Sequence, residues 1–211
     1  MISHAYKALI ANKLKTFLII ISLIFSIVSI FLISSISNGV ISMYSSMLKS
    51  DGDIIITQAK ISDTFFSNVD INLIKEIEYL KNINEAGAMT VGASPVEKLP
   101  IVAIYGVTQN RFKNYKLEKG KYPLNNEVIV GKSIFEQLSN INEVQIANKT
   151  FKISGVFESE IGFENGGIVL NISDAGEIFN KSASIILVNT ALNSDIEEII
   201  KEIKTLSKDI D

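Results

Sequence analysis

The chain has 211 residues, 47% of them hydrophobic, with a formal charge of −3 spread over 20 basic and 23 acidic side chains. That balance excludes a general nucleic-acid binder, which needs Lys and Arg clustered against phosphate. There is no Cys, and the single His is His4, which excludes disulfides, thiolate metal sites, Cys acylation and any His-based catalytic or zinc centre in the main domain.

Residues 1–15 read as a cytoplasmic amphipathic segment. Ile2, Tyr6, Leu9, Ile10, Leu14 and Phe17 recur along one helical face suited to the inner membrane surface. A transmembrane helix and its extension are predicted over 16–48. Phe17 to Ile36 is a run of 20 residues whose only polar content is Ser, and a helix of that length spans about 30 Å, the thickness of a bilayer's hydrocarbon. Lys7, Lys13 and Lys15 precede the run, and the next charge is Lys49. The positive-inside rule then puts the N-terminus in the cytoplasm and everything from about residue 37 outside it. A cleaved signal peptide would need a shorter apolar core, although Ser34–Gly39 offers small residues for cleavage. Ser22, Ser26 and Ser29 fall at i, i+4 and i+7. They are either a candidate helix-packing face or hydroxyls that bond back to their own helix.

Beyond the span, Ser37–Ser50 reads as a polar, flexible stretch, and Asp53–Thr57 as a strand. Asp70 is the predicted N-cap of a helix reaching about Asn82, with strands at Glu85–Ala93 and Leu99–Val107 broken by Ser94-Pro95. A turn follows at Lys119–Pro123 and a strand at Glu127–Val130. Ser133 and Glu136 form a capping box for a helix over Ile134–Leu138. Val144–Ala147 and Thr150–Phe157 are predicted strands around a turn at Asn148-Lys149, followed by a strand at Ile168–Asn171 and a helical turn through Phe179. Ser184–Val188 is the last strand, and Ser194 with Glu197 caps a helix whose face is Ile196, Ile199, Ile200, Ile203 and Leu206. One strand and one helix cannot close a sheet. The prediction is therefore an α+β core of two small α/β subdomains, 51–107 with 184–211 and an inserted β-rich 108–183, the first of them unfinished at its C-terminus.

The order of these features resembles MacB/FtsX-like ABC-transporter permeases, the group that includes lipoprotein-releasing permeases. It is carried by the N-terminal span, Gly52–Thr57, Ile104–Phe112 with its Gly-Val step, Leu117–Leu138 with its Val-x-Val-Gly end, the Phe151–Phe157 strand and Gly166–Phe179. Where the family has glycines after the position of Leu138, this chain reads SNINE at Ser139–Glu143. The resemblance implies three further membrane helices beyond the domain, so the chain reads as a fragment or a truncated relative.

Other motifs have plainer explanations. Val130-Gly131-Lys132-Ser133 ends like a phosphate-binding loop, but Asn126 stands where that loop needs its first Gly. Arg111, Lys113, Lys116, Lys119 and Lys121 interleave with Phe112, Tyr115 and Tyr122; the pattern is a candidate extracytoplasmic partner patch or a solvated connector. Glu158, Glu160 and Glu164 lack the alternating spacing of a Ca²⁺ loop. No catalytic constellation, metal site or cofactor is expected.

The function implied by the resemblance is that of a non-enzymatic permease subunit in the bacterial inner membrane. Its partners would be a cytoplasmic ATP-binding-cassette subunit that hydrolyses ATP, a second permease subunit in a homo- or heterodimer, the lipid bilayer, and a periplasmic protein or lipoprotein; nucleic acid is not among them. The alternatives are a single-span sensor or adaptor with an outer binding domain, and a secreted binding domain released near Ser37.

Overall fold

The computed structural model describes residues 11–61, 63–139, 141–159 and 164–211. The chain divides into two compact units, Met1–Ser46 and Met47–Asp211. Most of the predicted amphipathic segment, including Ile2, Tyr6, Leu9 and Ile10, lies outside the described residues.

Helix α1 is one uninterrupted element, Lys13–Asp51, 39 residues long. Within its apolar part, Lys13–Ile41, the most apolar 18-residue stretch has a mean hydropathy of 2.9, and none of that stretch is buried in the protein, as a lipid-facing helix requires. Ser37–Ser50, read from sequence as a flexible stretch, is helical instead. No Pro interrupts it, and adding turns to an existing helix is far easier than nucleating one.

The second unit is a mixed α/β structure around one nine-stranded sheet. Its strands are β1 (Ile54–Ile56), β2 (Ile83–Val96), β3 (Leu99–Val107), β4 (Lys116–Gly120), β5 (Glu127–Gly131), β6 (Glu143–Ile146), β7 (Lys149–Glu158), β8 (Gly167–Asn171) and β9 (Ile185–Thr190). The order is β1-β9-β2-β3-β8-β5-β7-β4, with β6 set between β2 and β7. Strands from 51–107 and 184–211 thus form one flank and those from 108–183 the other. The parallel ladder of β3 and β8 joins them, and a bridge between Val96 and Ile146 closes β2, β3, β8, β5, β7 and β6 into a ring. The hydrophobic core also crosses this boundary: Val96, Val102 and Ile104 pack with Val128, Phe151 and Ile168.

Four shorter helices cover the sheet: α2 (Leu73–Glu78), α3 (Lys132–Gln137), α4 (Ile172–Phe179) and α5 (Ile196–Leu206). Helix α4 docks where glycines leave room. A Cβ on Gly106 would lie 2.1 Å from that of Ala175, and one on Gly92 would strike the Phe179 ring. Helix α5 buries Ile199 and Ile203 against Ile54, Ile56, Ile186 and Val188.

Several local expectations are corrected. β2 runs through Ser94-Pro95 by way of a bulge, where a strand tolerates Pro, and the reversal comes at Glu97-Lys98 with Glu97 at φ 51°. Helix α2 is shorter than expected. Asp70 is not its cap but folds back to accept from Asn72 N at 2.9 Å. Gly131, not Ser133, precedes α3, and Asp195, not Ser194, caps α5. The β6–β7 turn falls at Ala147-Asn148, one residue early. After α5 the chain returns to the sheet, where Thr57 and Asp211 exchange hydrogen bonds of 3.0 and 2.9 Å.

Candidate functional site

Two places carry the polar contacts of interest, the serines of the apolar helix and, separately, the first residues of the folded unit. Ser22, Ser26 and Ser29 each donate to the carbonyl four residues earlier, Leu18 O and Ser22 O at 2.9 Å and Phe25 O at 2.8 Å. Their hydroxyls are thus satisfied within the helix, which is how Ser is carried in hydrocarbon without a neighbour.

Past Asp51 the backbone turns at Gly52, φ 149°, where a Cβ would lie 3.0 Å from Val188 O. Asp53 then fastens the chain to the end of β9. Its N–H donates to Val188 O at 2.9 Å, and its Oδ2 accepts from Thr190 N at 2.8 Å and Thr190 Oγ at 3.0 Å. A carboxylate with two donors from one residue is a firm anchor, because hydrogen bonds to a charged acceptor are the stronger kind.

The predicted basic patch is not assembled as expected. Arg111 is 5% exposed, its stem lying where a Cβ on Gly87 would be, so it does not contribute to a surface. Phe112 and Tyr115 are buried too, Tyr115 edge-on to Phe157 at 5.1 Å, and so offer no stacking platform. Lys113 is in an ion pair with Glu85 at 2.6 Å, and Lys121 lies 3.5 Å from Glu127. Lys116 and Lys119 are exposed on β4, which ends the sheet; lysines there discourage edge-to-edge pairing with another chain.

Lys132 of the loop-like Val130–Ser133 motif lies 3.5 Å from both Glu118 and Glu158, and these carboxylates push its ammonium pKa up, Glu118 foremost. Glu164 accepts from Ser159 Oγ, while Glu160 is outside the described residues. Among the described residues no three His, Cys, Asp or Glu side chains gather as a metal site.

Two polar clusters escaped the sequence reading. Lys149, at the start of β7, reaches Asp174 at 2.6 Å and Glu177 at 3.0 Å on α4, and these hydrogen bonds raise its pKa, Asp174 first. Lys181 is partly buried and donates to Phe65 O at 2.7 Å and to Val91 O and Ser184 Oγ at 3.1 Å; burial lowers its pKa. Both join segments far apart in sequence, and single-residue patterns carry no signal for that.

The description of the MacB-like periplasmic core domain family matches residues 16–206. Among solved structures, the periplasmic region of MacB from Actinobacillus actinomycetemcomitans superposes with a TM-score of 0.63 at 14% identity, over 78% of this chain and 90% of that one. The extracellular domain of the noncanonic ABC-type transporter YknZ from Gram-positive bacteria gives 0.62 at 11% identity, over 74% and 97%. At such identities these two likenesses speak for the fold. No curated protein matches the sequence. A match over nearly the whole length, on a fold shared with transporter domains and led by one apolar helix, places the chain in the family of MacB-like periplasmic core domains, as a membrane-anchored part of an ABC-type transporter permease with an extracytoplasmic domain.

Proposed function

We propose that this chain is the moving outer part of a MacB/FtsX-type permease, in which ATP hydrolysis by a separate cytoplasmic subunit displaces the extracytoplasmic domain. The observation that carries the reading is the continuity of α1. At 39 residues it is about 58 Å long, roughly twice the hydrocarbon thickness. It has no Pro at which to yield, and the residues after it are pinned to β9 through Asp53 and Thr190. On this reading a tilt of the membrane helix is what displaces the domain.

On this reading the N-terminus is cytoplasmic, the chain itself does no chemistry, and a second permease subunit, identical or related, completes the transporter. The cargo is a lipoprotein, peptide or drug already outside the membrane, moved by the domain. The test is purification of the natural gene product from detergent-solubilised membranes, with identification of what accompanies it. An ATP-binding-cassette subunit at stoichiometric level, retained through salt washes, is the expected result. Its absence would replace the proposal with that of a single-span adaptor.

A further inference from the structure

We propose that Lys181 and Ser184 act together as an edge guard, taking with their side chains the place of a strand that β2 lacks between β9 and β6. β2 pairs with β9 as far as Met89 and with β6 only at Val96. Thr90–Pro95 therefore has β3 on one side and, among the described residues, no strand on the other. Six extended residues run about 20 Å. That is enough for a strand of another chain to pair with, which is how open edges lead to association.

The backbone along this gap is closed almost residue by residue. Met89 O accepts from Ser184 N at 2.9 Å, so Met89 faces the gap side, and alternation turns Val91, Ala93 and Pro95 the same way. Val91 N donates to Ser184 Oγ at 2.9 Å, and Val91 O accepts from Lys181 Nζ at 3.1 Å. Pro95 has no N–H, and its C=O accepts from Ser94 Oγ at 3.1 Å. Ala93 is exposed between these two closures.

The contacts of Lys181 fit this role and not that of an ion-pair partner. An ammonium has three donors and no acceptor. Its acceptors here are Val91 O, Ser184 Oγ at 3.1 Å and Phe65 O at 2.7 Å, all uncharged. The carboxylate of Asp63 nearby is turned to its own loop, where Oδ1 accepts from Phe65 N at 2.8 Å. The bond to Phe65 O also ties the turn at Asp63–Ser67 to β2. A partly buried cation among neutral acceptors is costly to keep, which sets Lys181 apart from an ordinary surface lysine.

The experiment compares the full chain in detergent micelles with Lys181→Met/Ser184→Ala and with that pair plus Ala93→Lys. Amide exchange at Val91 is expected to rise about tenfold or more in the double variant. Ile104, in the ladder on the other side of β2, should keep its rate. The self-associated fraction in sedimentation should exceed the parent's, and Ala93→Lys, which puts a charge on the opened edge, should bring it back. If the double variant does not fold, Ser184→Ala alone carries the exchange comparison, since Lys181 keeps Phe65 O and Val91 O. Val91 exchange at the parent's rate, or an equal rise at Val91 and Ile104, would overturn the stand-in strand. Association no greater than the parent's would overturn the guard.

Discussion

Lys149 Nζ and Asp174 Oδ1 lie 2.6 Å apart, joining the first residue of β7 to the first turn of α4. The same carboxylate accepts from Asn126 N at 3.2 Å, ahead of β5. Asp174 is 7% exposed and Lys149 33%, so the loss of either partner is unequal. Asp174→Ala strands a backbone N–H and should cost about 2 kcal/mol, whereas Lys149→Met, at a partly solvated position, should cost about 1 kcal/mol. Urea midpoints of both single variants and the double variant give the coupling, expected near 1 kcal/mol. The pH sign also follows. A Lys with a raised folded-state pKa stabilises fully below its ordinary value of 10.5 and loses that contribution as pH climbs through the raised value. Lys149→Met should therefore lack that part of the alkaline decline.

Gly87 is occupied by its neighbour. A Cβ there would stand 2.7 Å from Arg111 Cγ and 2.9 Å from Thr108 Oγ, whereas one on Gly166 would meet nothing within 4 Å. Gly87→Ala must displace a buried Arg and should destabilise by about 1–3 kcal/mol. Gly166→Ala should be close to neutral in the same thermal melt, and equal effects would show that Arg111 moves aside freely.

The contrast between legible and illegible features has a physical basis. The apolar span, β5, β8 and the face of α5 were readable because each is a local pattern: a run without charge, a β-branched block, or Ile199 and Ile203 at helical spacing. Caps and turns were misplaced by one residue or more: Asp195 and Ser194 are near-equal capping residues, and the β6–β7 register puts Ala147 in the left-handed region although Asn is the residue that favours it. Arg111 looked like part of a basic surface because sequence shows charge but not burial, and nothing in the sequence announces that Gly87 has vacated the space it fills.

The cap of α5 separates those neighbours by experiment. Asp195 Oδ1 accepts from Glu197 N at 3.0 Å and Glu198 N at 3.2 Å, while Ser194 Oγ donates to Ala191 O at 2.7 Å. Asp195→Ala leaves two end amides of a helix without their acceptor and should cost about 1 kcal/mol. Ser194→Ala removes one turn hydrogen bond, with an expected loss of about half that. Reversed magnitudes in urea titration would restore the capping box that sequence favoured.

Glu127 predicts a feature of the acid limb. Its carboxylate accepts from Leu124 N at 3.1 Å, which is the main cause of a pKa below the usual 4.5; Lys121, at 3.5 Å, adds to it. A depressed carboxylate stabilises above its unfolded pKa and loses that contribution as pH falls through the lower folded value. Glu127→Gln should accordingly flatten the fall in stability below about pH 4.5. Parallel acid limbs for variant and parent would show that the hydrogen bond survives protonation.

Asp53 is where a mechanical reading of the domain is most exposed to test. Its Oδ2 holds both the N–H and the hydroxyl of Thr190, so one side chain ties the strand after the membrane helix to the far end of β9. Asp53→Ala should free the Thr190 amide to exchange faster and lower stability by about 1–2 kcal/mol, since two donors lose a charged acceptor. Thr190→Val removes only the hydroxyl bond and should give the smaller loss. If the anchor transmits force, Asp53→Ala should also reduce transport more than it reduces ATP hydrolysis by the partner subunit in the assembled complex. Stability loss alone lowers both in proportion, because unfolded permease contributes to neither. A proportional fall would therefore make Asp53 a structural residue, and an excess loss of transport would identify it as the point where helix motion enters the sheet.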